Sequence, residues 1–256
     1  MPFAYPLFLS LEGEHCLVVG LGEVGRRKLA GLLACGVGSV LALDTCQPRT
    51  APESASGADD ARLIMADARV RLERRACTPD DVRASRLVFA ATGDPRENAR
   101  IAGLCREARV LCNCASAPEL GDFAVPAVAR NGDLCAALST GGASPALARQ
   151  MRHELEDWLA PHAALAWFLG RLRPLVLAMG NDTRHNRQLF RKVAASPLGS
   201  WLAAGEYARC RDWLAAELPP PLAAHAAPLA EACAEAFLTQ ETAPRTVIDG
   251  ESHEFR

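Results

Sequence analysis

Apolar residues in the first 115 positions fall into short unbroken runs separated by polar or helical stretches. Residues 16–19, 39–43, 85–91 and 110–115 read as four strands built on such runs, and 70–75 reads as a fifth strand. Unbroken rather than alternating apolar character is the mark of a strand covered on both faces. Residues 26–35 and about 95–106 carry helical patterns between these runs, and Pro79-Asp80-Asp81 opens a further short helical turn. Strands alternating with helices predict an α/β fold with a parallel sheet. Residues 5–10 predict a short leading strand. Residues 47–60 are rich in Pro, Ser, Gly and Asp and predict a loop.

From Asp122 the pattern changes. Residues 123–128 and 133–138 read as two short strands joined at Asn131-Gly132, a turn dipeptide. No crossover helix follows either of them. A two-stranded hairpin is marginal alone and needs a partner surface. Ser144 then reads as an N-cap and Pro145 as a first helical residue, opening a helix to about Leu159. Further helical patterns lie near 162–179, 186–194, 206–217 and 226–240. Leu218-Pro219-Pro220-Pro221 breaks the last two apart, and 241–256 reads as a frayed tail. The expected organisation is a Rossmann-type domain over 1–114, a hairpin segment over 115–150, a helical domain over 151–218, and an extra helix with a tail over 219–256.

Composition narrows the class. The chain has 256 residues, half of them apolar, and a net charge of −2. Arginines outnumber lysines 26 to 2, but the acids balance them, so no nucleic-acid partner is predicted. No run of about 20 apolar residues predicts a membrane span. The first residues have no basic region or long apolar stretch of a signal peptide. Ten cysteines are scattered without a C-x-x-C pair, and most lie in apolar runs. They read as reduced core thiols of a cytoplasmic protein. The six histidines show no metal-ligand spacing, and no metal is predicted.

The candidate chemistry starts at Gly20-Leu21-Gly22-Glu23-Val24-Gly25, a G-x-G-x-x-G directly after the first strand and before a helix. Gly20 makes the tight turn, Gly22 lets backbone approach a pyrophosphate, and Gly25 lets the helix pack close to the sheet. The helix N-terminus offers unpaired N–H groups and a positive dipole end to phosphates. The second strand ends in Asp44, nineteen residues after Gly25, followed by Thr45 and Cys46. An acid there accepts hydrogen bonds from a ribose and repels a 2′-phosphate, which predicts NAD over NADP. Ligands of such sheets sit beyond the carboxyl ends of the strands. That edge collects Gly20–Gly25, Asp44, Thr92, Asp94 and the residues from Asn113 to Ser116. Arg26-Arg27-Lys28 reads as a solvated helix face in preference to a phosphate clamp.

Several motifs together resemble one family, the precorrin-2 dehydrogenases, including the N-terminal half of bifunctional sirohaem synthases. They are Tyr5-Pro6-Leu7-Phe8-Leu9, the glycine motif through Lys28, Ala90-Ala91-Thr92-Gly93-Asp94 with Asn98, and Cys112-Asn113 with Ala117-Pro118. Phe123, Pro126, Ser139-Thr140-Gly141-Gly142 and the run from Ser144 to Arg149 complete the set. The resemblance covers about residues 5–155, with weaker similarity to about 215. It implies oxidation of precorrin-2 to sirohydrochlorin with NAD as hydride acceptor, and ferrous iron insertion in some members. It also implies homodimerisation through the hairpin segment, which carries the substrate site together with the NAD domain.

The resemblance implies an acid–base aspartate between the Cys-Asn and Ala-Pro pairs. Serine stands there instead, as Ser116. Serine at its free pKa is a poor general base, so proton removal falls to a water held by Ser116, or to Asp122 or Glu119. Chelation needs proton acceptors for the pyrrole nitrogens, so weak or absent ferrochelatase activity is expected. The macrocycle implied as substrate carries eight carboxylates. Asn113, Thr140, Gly141, Gly142, Ser144 and Arg149 are the expected substrate-binding residues. Backbone N–H groups of the glycines and the helix start form an anion site there, and Arg149 and Arg152 are positioned to pair with carboxylates. A second reading is a degenerate dimeric protein that binds NAD or tetrapyrrole without catalysis. A third is an unrelated dehydrogenase on the same nucleotide fold.

Overall fold

The computed structural model describes residues 5–45 and 66–240. The expected loop at 47–60, Cys46 and the expected tail at 241–256 lie outside the described residues. By contacts the chain divides into two compact units. The first holds residues up to Pro126 and the segment Thr140–Pro145. The second holds Ala127–Ser139 and the chain from Ala146.

The first unit is a parallel sheet of five strands: β1 (His15–Val19), β2 (Ser39–Leu43), β3 (Val70–Glu73), β4 (Leu87–Ala90) and β5 (Leu111–Cys114). Their order is β3-β2-β1-β4-β5, and every pairing is parallel. Side chains alternate between faces along a strand. Leu17, Val19, Leu41, Leu43, Val88, Ala90 and Cys112 bury one face against Ile101, Ala102 and Cys105 of α3 (Pro95–Ala108) and Val82 of α2 (Pro79–Arg83). Cys16, Val18, Val40, Ala42, Leu87 and Phe89 bury the other against Leu29 and Leu32 of α1 (Glu23–Ala34). Both faces are apolar because both are covered, which is why the runs are unbroken in the sequence. The strand order reverses at the β1–β4 neighbours. An α/β sheet of this kind takes its ligand at that switch point.

Local signals explain the helix starts. Thr78 and Asp81 form a capping box at α2, the Thr78 side chain accepting from the Asp81 N–H and the Asp81 side chain from the Thr78 N–H. Asp94 caps α3 through Oδ1, 2.9 Å from the Arg96 N–H. The expected leading strand at 5–10 is not formed. Glu12 alone makes an isolated bridge, to Val37, while Tyr5, Leu7 and Phe8 stay exposed. Pro6 has no N–H to give a ladder there.

The second unit holds the antiparallel pair β6 (Ala127–Asn131) and β7 (Leu134–Leu138), then the helices α4 (Pro145–Ala178), α5 (Thr183–Ala194), α6 (Leu198–Ala203), α7 (Tyr207–Glu217) and α8 (Pro220–Gln240). The hairpin lies four residues later in its first strand than expected. Its two-residue loop is Gly132-Asp133, with Gly132 at φ 54°, a conformation that suits glycine. The break expected near residue 160 is absent: α4 runs unbroken for 34 residues. A proline inside a helix removes one N–H bond and crowds the carbonyl four residues back. Pro161 and Pro174 are tolerated because they, and the residues Asp157 and Gly170 whose carbonyls they leave unpaired, are all exposed to water. On the opposite side Phe168, Leu172 and Val176 recur every four residues and are fully buried with Val193, Leu198, Cys210 and Leu214. The short α6, which carries the buried Leu198 and Leu202, was not evident in the sequence. Among the described residues no helix is long and apolar enough to cross a membrane.

Candidate functional site

The strand-to-helix turn of the first unit is built on two glycines that tolerate no side chain. Gly20 sits at φ +93°, and a Cβ on it would come 2.4 Å from the Ala91 carbonyl oxygen. A Cβ on Gly25 would come 1.8 Å from the Gly20 carbonyl oxygen. Gly22 is different. Its backbone is extended at φ −64°, and a Cβ there would meet nothing within 4 Å. It is the N-cap of the 12-residue α1, and no side chain caps the first turn. The first N–H groups of α1 are thus left to an outside acceptor, with space in front of Gly22 for it to approach. Glu23 and Val24 open the helix, exposed and half-buried respectively.

A cleft of about 730 Å³ opens beside this turn. It brings together Gly20, Gly22, Asp44, Thr45, Thr92 and Asp94, six of the residues expected to hold the cofactor. Glu23, Val24 and Gly25 do not line it. Asp44 Oδ2 accepts the Leu21 N–H at 2.7 Å, which ties the end of β2 to the glycine turn. The cleft also takes in Arg75, Ala76 and Cys77 beyond β3, and Glu97 and Arg100 on α3. These were missed in the sequence. The available signal was the carboxyl end of the strand at 70–75, which belongs to the same sheet edge as Asp44.

Arg75 is held hard. Its Nη1 and Nη2 donate to Asp81 Oδ2 and Oδ1 at 2.6 and 2.7 Å, and its Nε donates to Glu73 Oε2 at 2.6 Å. The Arg75 guanidinium holds the Asp81 carboxyl far below the usual carboxylate range. Arg100 likewise pairs with Glu97 at 2.7 Å and donates to the Cys77 carbonyl at 2.8 Å. That pairing lowers the Glu97 carboxyl, and the Arg100 guanidinium is raised in turn.

Further along the edge, Asn98 is fully buried and joins two expected site residues. Its Oδ1 accepts from the Thr92 N–H at 3.0 Å and from Thr92 Oγ1 at 2.7 Å. Its Nδ2 donates to the Thr92 carbonyl at 3.0 Å and to Ser116 Oγ at 2.9 Å. Ser116 itself is exposed just beyond β5. Asp122 Oδ2 accepts the Cys112 N–H at 2.9 Å, so this acid is tied to the β5 backbone. Asn113, buried, donates from Nδ2 to the Phe123 carbonyl at 2.9 Å, while its Oδ1 has no partner among the described residues.

The Thr140–Pro145 segment forms a turn with Gly141 at φ 65° and Gly142 at φ 87°. The Ser144 N–H donates to Thr140 Oγ1, and this hydroxyl donates to the Ser144 carbonyl, each at 3.3 Å. In the second unit Arg149 is exposed on the first turns of α4. Arg152 is not available as expected. It is 4% exposed, and its guanidinium faces Glu156 at 3.3 Å. The solvated face expected for residues 26–28 is also corrected. Lys28 is 5% exposed, and Arg26 and Arg27 are half-buried.

Burial pushes the thiols of Cys16, Cys77, Cys210 and Cys233 up to about 11, so they are protonated at neutral pH. Cys112 is raised as well, first by its hydrogen bond with Cys105 and then by burial. Among the described residues no three His, Cys, Asp or Glu side chains gather as metal ligands.

Residues 7–127 match a family described as putative NAD(P)-binding, and residues 131–157 match the sirohaem biosynthesis protein central family. The siroheme synthase of Azotobacter vinelandii is 34% identical over 215 residues, 83% of this chain and 44% of that protein. That of Methylococcus capsulatus is 32% identical over 194 residues, 75% of this chain and 38% of that protein. The chain thus spans about two fifths of the length of these relatives. Among solved structures, the precorrin-2 dehydrogenase SirC shares the fold, with a TM-score of 0.56 at 22% identity over 76% of this chain and 91% of that one. The first unit carries the NAD-binding family match, and the chain belongs to the siroheme synthase family, of whose members it spans only part.

Proposed function

We propose that the protein oxidises precorrin-2 to sirohydrochlorin with NAD as hydride acceptor, and that its ferrochelatase activity is weak or absent. The observation that carries this reading is the α1 turn. An uncapped helix start faces open space at Gly22, between two glycines packed against backbone. This is a seat for a pyrophosphate. When bound, NAD supplies the electron-pair acceptor of the oxidation. The chain then has to hold the ring in place and receive one proton, and positioning alone supplies a large part of such a rate. Gly20, Gly22 and Gly25 shape the phosphate seat, with Glu23 and Val24 opening its helix. Asp44, Thr45, Thr92 and Asp94 line the cleft around it. Asn113, Thr140, Gly141, Gly142, Ser144 and Arg149 are assigned to the substrate, and Ser116 and Asp122 to the proton.

Anaerobic incubation with precorrin-2 and NAD tests this, following the ring spectrum and NADH together. Appearance of both signals in equal amounts supports the proposal. Ser116 favours a second reading, a dimeric binding protein without catalysis, because no carboxylate occupies that position. Tight binding of NAD with no NADH formed would establish that reading instead.

Two further outcomes are expected. Asp44→Ala lowers NAD affinity by about tenfold, the loss of one charge-assisted pair of ribose hydrogen bonds, and leaves NADP affinity the same or better. Fluorescence titration with both dinucleotides reads this, and equal wild-type affinity for the two would reject the role of Asp44. The second outcome concerns assembly. The β6–β7 hairpin is a two-stranded sheet with no third strand among the described residues, and we assign it to a homodimer contact. Sedimentation equilibrium at micromolar protein is expected to show the dimer, and a stable monomer would exclude it.

A further inference from the structure

We infer that Glu73 and Asp81 act as a latch on Arg75 that excludes a 2′-phosphorylated dinucleotide from the cleft. The inference rests on the NAD reading above and adds to it a determinant that is separate from Asp44.

Three facts place the latch. Arg75 lines the same cleft as Asp44. The strand ends that carry them are adjacent, since Leu43 is paired with Glu73 and the Asp44 N–H donates to the Glu73 carbonyl at 3.2 Å. Arg75 is also largely committed. Its fork is closed on Asp81 at 2.6 and 2.7 Å, its Nε on Glu73 at 2.6 Å, and Nη1 donates again to the Ala76 carbonyl at 3.1 Å. That uses four of the five N–H donors of a guanidinium.

A guanidinium at the ribose end of a nucleotide cleft is the ordinary receptor for a 2′-phosphate. Here the arginine is present but its charge is already met by two carboxylates. Arg71 also pairs with Glu73, from an exposed position on β3 outside the cleft lining. Asp44 and Arg75 line the cleft there, Glu73 and Asp81 hold Arg75 from outside the lining, and the cleft's other arginine, Arg100, is paired with Glu97. A phosphate approaching there has to displace a carboxylate from Arg75 or stay unpaired near Asp44. A free 2′-hydroxyl meets neither demand. Asp81 is itself anchored, by the Thr78 N–H at 2.8 Å and Thr78 Oγ1 at 2.7 Å, so its half of the latch does not swing away without opening the α2 capping box.

The test is a titration series on the purified protein with NAD and NADP, following intrinsic fluorescence. Glu73→Gln and Asp81→Asn keep shape and remove charge. Each single variant is expected to bring the NADP-to-NAD ratio of dissociation constants down about threefold, and the double variant about tenfold, chiefly through tighter NADP. Arg75→Ala alone is expected to leave NADP affinity within about twofold of wild type, because the locked arginine is not serving it. Arg75→Ala added to the double variant removes the gain. Thermal melts of the same proteins show whether Asp81→Asn has weakened α2, and Glu73→Gln alone keeps the test valid if it has. A ratio unchanged in folded Glu73→Gln and double variants overturns the latch. So does a gain that persists without Arg75, which would assign it to Arg71 or to general charge. Failure of the wild type to bind NAD at all would instead reject the cofactor reading on which the latch stands.

Discussion

Gly25→Ala is expected to abolish measurable NAD binding and to destabilise the first unit by about 3 kcal/mol, the upper part of the usual range for overpacking a tight contact. The new methyl would lie 1.8 Å from the Gly20 carbonyl oxygen, well inside any real contact. The obstacle is backbone of a turn already committed to φ +93°, so it cannot rotate aside. Relief requires α1 to move off the sheet, which opens the Leu29 and Leu32 packing and displaces the N–H groups of the phosphate seat. Gly22→Ala provides the contrast. Its methyl meets nothing within 4 Å and its φ suits any residue. Stability is expected to stay within about 0.5 kcal/mol of wild type, while NAD affinity drops by tenfold or more as the methyl enters the space in front of α1. Melting curves and titrations on the two variants read these outcomes separately. A stable Gly22→Ala protein that binds NAD as tightly as wild type would show that the space at Gly22 is not where phosphate sits.

The parts of this site that were legible in the sequence are those whose chemistry is local. A glycine turn between an apolar run and a helix announces itself within ten residues, and Asp44 is found by counting from Gly25. Strand position was legible because both sheet faces are covered, which removes ambiguity between strand and surface. What the sequence did not disclose depends on which strand ends lie side by side. Arg75 is 31 residues from Asp44 in the chain, and only the β2–β3 pairing puts them in one cleft. Arg152 reads as a free cation beside Arg149 until its burial against Glu156 is seen. The unbroken α4 was hidden by Pro161, because a proline looks like a stop unless its exposed setting is known. Asn98 was visible as part of a motif, yet its role as a bridge appears only when β4 and β5 are neighbours.

That bridge leads to the other large expected effect, on proton chemistry. Ser116→Asp is expected to raise iron insertion into sirohydrochlorin by tenfold or more, while precorrin-2 oxidation rises by less than about threefold. Metal insertion must strip protons from pyrrole nitrogens, and a missing general base typically costs ~10²–10⁴-fold. Oxidation sheds a proton from a ring that gains conjugation as it does so, and depends more on placement over the cofactor. The local structure is ready for a carboxylate. Asn98 Nδ2 already donates to Ser116 Oγ at 2.9 Å, and three bonds to Thr92 hold the amide in that orientation. An aspartate there would accept the same N–H and stay ionised at neutral pH, ready to take a proton. Asn98→Leu in the Ser116→Asp background is expected to erase the gain in chelation, because the carboxylate loses its fixed position. Anaerobic spectra of the tetrapyrrole, with and without ferrous iron, separate the two activities in each variant. Iron insertion by the wild type at the rate of its oxidation would refute this account of Ser116. Asp122 would then be the proton acceptor, an exposed acid whose Oδ2 is fixed by the Cys112 N–H; Asp122→Asn would silence both reactions.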